Sequence, residues 1–301
     1  LYRTLSDRLA VLPGVQHVSI SATAPFGMLS LSKAIQRAGM HVGKDDKPGT
    51  AAEGLAFSSR YNSIGADYFA TMGIPILRGR NFTLSEATQS NGPAVAVIDE
   101  ALAKKLWPDG DALGQRIQFA SDAAPLAKRD DGGGGMGISQ GGKTNIKPEE
   151  PIEVVGITGI TRAAVFEKRP RGTVYVPFAR GFQNNAFFFI QFSSLNKTTI
   201  PDMADAVRRA VRETDPTLPV LSLKTFPQHL ESNLEIWIIR TGVILFSVIG
   251  GLALPHAIVG GTGVKAFSAA RATCKIGVIR ARAATSKNEH APNGPKGIVP
   301  P

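Results

Sequence analysis

Residues 241–264, TGVILFSVIGGLALPHAIVGGTGV, contain no Asp, Glu, Lys or Arg. As a helix rising 1.5 Å per residue, the run reaches roughly 36 Å, enough to cross a hydrocarbon core of about 30 Å with some tilt. Few features restrict a chain so strongly, because the stretch must lie in lipid or have a large soluble core built around it. Its eleven strongly apolar residues, at about −0.3 to −0.6 kcal/mol each, give an insertion free energy on the order of −3 to −7 kcal/mol. Pro255, His256 and six glycines work against that figure. The sequence predicts one transmembrane helix over 241–264, and the alternative is a buried helix of a soluble core.

Lys265, Arg271, Lys275, Arg280 and Arg282 follow directly behind the run. Cationic flanks stay in the cytoplasm, so residues 265–301 are expected on the cytoplasmic side and residues 1–235 outside. Residues 240–301 hold eight Lys and Arg against one acid, Glu289, whereas residues 1–239 hold 26 against 23. The formal charge of +10 is therefore mostly a property of the tail. A pI near 9.9 would otherwise suggest nucleic acid, but the earlier cations are diluted by acids and form no sustained stripe. No nucleic-acid partner is expected. The single cysteine, Cys274, lies in the flank, so no intrachain disulfide can form and packing alone must hold the domain. No initiating Met or signal peptide opens the chain, which reads as an internal or truncated piece.

Along the chain, Leu1, Leu5, Leu9 and Leu12 recur at helical spacing, and Pro13-Gly14 stops that helix before the alternating Val15, His17, Val18, Ile20 strand. Residues 54–63 and 94–98 read as strands, the second running into a helix over 99–106 with Asp99 as its N-cap. Residues 115–119, 152–160, 173–177 and 186–193 make a β-rich block. Residues 200–214 have a helical apolar period, and 219–223 read as a last short strand. The fold class is α+β with mixed sheets. Between 120 and 151 almost nothing large and apolar remains to bury, which predicts an exposed low-complexity loop. The same reasoning predicts a disordered tail over 285–301.

The segment GISQGGKT at 137–144 fits the phosphate-loop pattern, with Lys143 and Thr144 as its reactive pair. That chemistry needs a strand feeding the loop and a helix leaving it, so that N–H groups converge on phosphate. Here Asp130-Asp131 and a glycine run precede it, and Pro148 stands where the helix interior belongs. A chance match in a linker is the better reading. His17, His41, His229, His256 and His290 are scattered without metal-ligand spacing, so no metal site is assigned. No Gly-x-Ser-x-Gly elbow is present. No catalytic, cofactor-binding or metal residue is assigned, no cofactor is expected, and the chain does not read as an enzyme. His256 near mid-membrane receives no role.

Several segments together resemble permease subunits of ABC transporters of the FtsX-like type with a MacB-like periplasmic core domain. They are YNSIGADYFATMGIPILRGRNF at 61–82, AVAVIDEALAKKLWPDGDALGQRIQ at 94–118, IEVVGITGITRAAVFEKRPRGTVYV at 152–176, and residues 215–220. Each also reads as scaffold: Tyr68 and Phe69 pack a short helix on the sheet, Gly73-Ile74-Pro75 turns the chain, and Arg78 and Arg80 flank Gly79 in a second turn. The resemblance implies a periplasmic domain at 1–235 in a bacterial inner membrane protein, moving in response to a separate cytoplasmic ABC ATPase subunit. It also implies a second permease copy and an envelope substrate or partner protein. Residues 265–282, KAFSAARATCKIGVIRAR, resemble the stretch that contacts the ATPase. Lys275 stands where the family has an acid before the Ile-Gly pair, and Pro255-His256 replace leucine-like residues. The competing readings are a membrane-anchored extracytoplasmic binding module and, more remotely, a nucleotide-hydrolysing enzyme using Lys143 and Thr144.

Overall fold

In a computed structural model, the described residues are 1–27, 29–40, 50–120, 138–141, 144–148, 150–162, 167, 170–181, 186–193 and 200–289. Helix α1 (Tyr2–Ala10) buries Leu5 and Leu9, and Gly14, at φ +79°, turns the chain into β1 (Val15–Ser21). Strands β2 (Leu29–Arg37) and β3 (Phe57–Ile64) pair antiparallel through Leu31↔Tyr61. The short helix α2 (Tyr68–Thr71), β4 (Ile76–Gly79) and α3 (Leu84–Thr88) follow. Then come β5 (Val95–Asp99), α4 (Glu100–Leu106), β6 (Arg116–Phe119), β7 (Ile138–Gly141), β8 (Ile152–Thr158), β9 (Thr173–Pro177) and β10 (Phe187–Phe192). Helices α5 (Ile200–Thr214), α6 (Phe226–Glu231) and α7 (Leu234–Glu289) complete the described chain.

Strand pairing runs β3-β9-β5-β8-β6-β2, and β2 returns to β3, so six strands close on themselves. Closure removes the exposed edges that an open sheet must otherwise protect. One core cluster draws Leu31 and Ile35, Phe57 and Tyr61, Ala96 and Ile98, Ile117 and Phe119, Ile152 and Val154, and Val174 and Val176, a pair from each of the six strands. Strands β5 and β9 are buried on both faces, which explains their unbroken apolar runs. Their second face, at Val95, Val97 and Tyr175, is covered by Tyr68 and Phe69 of α2, with the Phe69 and Tyr175 rings edge-on at 5.0 Å. Gly79 ends β4 at φ +75° against β8, where a Cβ would run into the Val155 carbonyl.

The β1-β10 ribbon joins this barrel at its tip, where Ser21 pairs with Ile64. Helices α1 and α5 cover one of its faces with Leu5, Leu9, Val207 and Val211. Local chemistry sets the short helices. Asp99 caps α4 by accepting from the Leu102 N–H at 2.9 Å, as its position in the sequence predicts. Thr83 and Glu86 form a capping box on α3, and Arg80 grips Glu86 with two bonds of 2.8 Å.

Four expectations are corrected. Residues 219–223 form no strand, and among the described residues none pairs with them. Arg78 and Gly79, expected in a turn with Arg80, lie instead on strand β4, where both find partners on β8. Within the expected 120–151 loop, β7 pairs parallel with β2 and Ile146 is buried, so apolar residues too sparse to be seen as a pattern still reach the core. Residues 121–137 of that loop lie outside the described residues. The disorder expected over 285–301 is replaced by helix as far as Glu289, with the remainder outside the described residues.

The chain divides into two units, Leu1–Trp237 and Ile238–Pro301. In the second, α7 continues through Pro255 without ending. Residues 234–276 are long and apolar enough to cross a membrane, and none of the most apolar window is buried within the chain. Phe246, Leu254 and Val259 are 74%, 68% and 69% exposed, which is not the burial that a helix inside this chain's own core would show.

Candidate functional site

Two features of the first unit converge where the domain ends. Thr225 caps α6 with a capping box, its N–H bonded to Gln228 Oε1 at 3.0 Å. That places His229 with Nε2 2.9 Å from the Pro25 carbonyl; a carbonyl only accepts, so Nε2 carries the hydrogen. Asn233 then serves two partners. Its Oδ1 accepts from the N–H groups of Glu235 (2.8 Å) and Ile236 (3.3 Å), capping α7, while its amide donates to the Phe26 carbonyl. Phe26 adopts φ +57°, the left-handed region that costs a bulky residue on the order of 1–3 kcal/mol. The loop after β1 is thus held in a strained form by the residues that start the long helix.

Beside this latch lies a groove of about 1190 Å³. The loop at 23–27 forms one wall, β10 and α5 a second, and residues 222–229 a third. Its lining includes the aromatic and sulfur-bearing side chains of Phe187, Phe189, Met72, Met203 and Phe226. On its floor Arg60 meets Glu167 at 2.5 Å, the side chains 12% and 2% exposed. The Arg171 N–H donates to the other Glu167 oxygen at 3.0 Å. Removing either member of such a pair strands a buried charge, which costs about 3–5 kcal/mol. Deeper still, Asp99 is fully buried and its carboxyl is pushed up to about 6 by that burial. The Tyr175 hydroxyl, 2.9 Å from Thr161 Oγ1, is pushed up to about 12, again chiefly by burial. Arg60 is thus paired with Glu167 and Tyr175 with Thr161, and the rest of the lining mixes apolar side chains with polar ones and with Arg162, Arg171 and Lys224.

The sequence candidates fall elsewhere. Ile138–Gly141 is extended where a phosphate loop should curl, residues 144–148 form no helix, and Thr144 Oγ1 donates to the Arg180 carbonyl at 2.9 Å. Gly137 and Lys143 lie outside the described residues, as do His41 and His290. His17 sits on β1, and His256 Nδ1 lies 2.8 Å from the Leu252 carbonyl within α7. Among the described residues no three of His, Cys, Asp and Glu converge as a metal site. Sequence reasoning overlooked Asn233 and Phe26 and gave His229 no role. An Asn directly before an apolar helical run is a readable N-cap signal, whereas nothing local marks Phe26 as its partner.

The family model for the MacB-like periplasmic core domain matches residues 4–213. Among solved structures, the periplasmic region of MacB from Actinobacillus actinomycetemcomitans is similar at 14% identity and a TM-score of 0.43, with 70% of this chain and 73% of that one covered. The extracellular domain of the noncanonic ABC-type transporter YknZ from Gram-positive bacteria is similar at 16% identity and a TM-score of 0.42, covering 71% and 83%. No curated protein matches the chain. With more than two thirds of its length matched by one family model, the chain belongs to the family of MacB-like periplasmic core domains.

Proposed function

We propose that the chain is a permease subunit, or a piece of one, of an ABC transporter in the bacterial inner membrane. Residues 1–235 form its periplasmic domain and 241–264 its membrane crossing. The cationic stretch 265–282 meets a separate cytoplasmic ATPase, which carries the nucleotide chemistry. One observation supports this most: a MacB-like core domain is followed at once by an apolar helix whose cap, Asn233, is bonded into the domain's own loop. A helix so anchored can pass a displacement to Phe26 and the groove beside it. Trp237, 58% exposed, stands where an aromatic residue settles at the outer interface, and the cations behind Val264 favour the cytoplasmic side. A 56-residue helix of roughly 84 Å exceeds the bilayer, leaving turns beyond Val264 for an ATPase groove. A second permease copy completes the pathway, and an envelope substrate or partner protein is what the periplasmic domain handles.

The test is recovery of partners from native membranes. Tagged full-length chain should bring down an ABC ATPase in stoichiometric amount, and Arg271→Glu should reduce that yield several-fold. Stable membrane insertion with no ATPase recovered would favour the second reading, an anchored binding module, to which Lys275 in place of an acid also points.

A further inference from the structure

Strand β10 ends its sheet. β1 pairs one of its edges, and among the described residues no strand pairs the other. Natural edge strands are blunted by Lys, Pro or a bulge, yet this one reads FFFIQF, carries no charge and has no buried residue. All six of its residues line the groove. Phe188 and Ile190 belong to the face packed by α1 and α5, and Phe189 to the face packed by Met72 and Ile74. The groove touches Met203 and Val207 on one side and Met72 and Ile74 on the other, so it runs along the open edge and not over a single face.

We propose that this groove takes an extended acidic segment of another polypeptide, added to β10 as a further strand. The unpaired edge offers main-chain donors and acceptors over about 20 Å, and alternate side chains of the added strand would enter the two apolar flanks. Charge selects the partner: Arg60 is already paired with Glu167, but Arg162, Arg171 and Lys224 stand among the described lining residues with a single acid, Glu235. The cavity also exceeds the roughly 300–1,000 Å³ usual for small-molecule pockets. The inference stands on the domain's geometry, so it holds or fails independently of any ATPase partner.

The test uses the full chain in lipid nanodiscs with three fluorescein-labelled octapeptides. One alternates valine and glutamate, one replaces glutamate by lysine, and one carries two central prolines. The glutamate peptide is expected to bind saturably and at least tenfold tighter than both others, and to slow hydrogen exchange across residues 187–192. Arg162→Glu combined with Lys224→Glu, both surface changes, should weaken it at least tenfold without altering exchange of the peptide-free chain. Equal binding of the proline or lysine peptide, or bound peptide with no protection at 187–192, would overturn the proposal.

Discussion

Asp99 shows how one side chain serves structure at a pH-dependent cost. Its carboxylate accepts from Leu102 to start α4, yet burial raises its pKa from 3.8 to about 6. Folded chain therefore holds the proton more tightly than unfolded chain. Its contribution is full below pH 4 and is lost as pH rises through 6, a change on the order of 2–3 kcal/mol. Asp99→Asn keeps an accepting oxygen and carries no charge. Relative to the parent it should gain on the order of 2 kcal/mol between pH 4 and pH 7.5 in denaturant titrations, and an equal offset at both pH values would contradict the assignment. Glycine offers a second contrast. Gly79→Ala meets the Val155 carbonyl as well as an unfavourable φ, whereas Gly39, at φ +77°, has open space around it. The first change should cost at least about 3 kcal/mol and the second about 1 kcal/mol, read from melting of the two variants.

At the scale of elements, what could be read from the sequence follows from what is local. The α4 cap at Asp99, the Leu5 and Leu9 face of α1 and the apolar run of β9 are each set by neighbours a few residues away. Strands β2, β4 and β7 were missed because their patterns are mixed and their partners lie far along the chain; Leu29 to Ser32 meets Ile138 to Gly141 across a hundred residues. The groove was missed for the same reason, since it gathers positions from Thr23 to Glu235. The latch at α7 yields its own prediction. Asn233→Ala should lower stability by about 1–2 kcal/mol and speed hydrogen exchange at residues 23–27 about tenfold, because both the helix cap and the Phe26 carbonyl lose their partner. Asn233→Asp keeps the cap but loses the donor to Phe26, so exchange at 23–27 should still rise while α7 stays protected. Unchanged exchange at 23–27 in both variants would mean that the loop is held by other contacts.

For the whole molecule, the barrel, the ribbon carrying β10 and the cap of α7 belong to one unit, Leu1–Trp237. The loop at 23–27, the groove edge and the first turn of α7 share the bonds of His229 and Asn233. That arrangement has a transport role only if the helix leaves the domain through a membrane. Cys274, the only cysteine and exposed on α7, reports the far side directly. In intact spheroplasts a membrane-impermeant maleimide should leave Cys274 unlabelled until the membrane is permeabilised. A cysteine placed by Ser90→Cys in a Cys274→Ser background should be labelled at once. Immediate labelling of Cys274, or protection of the cysteine at position 90, would contradict the account.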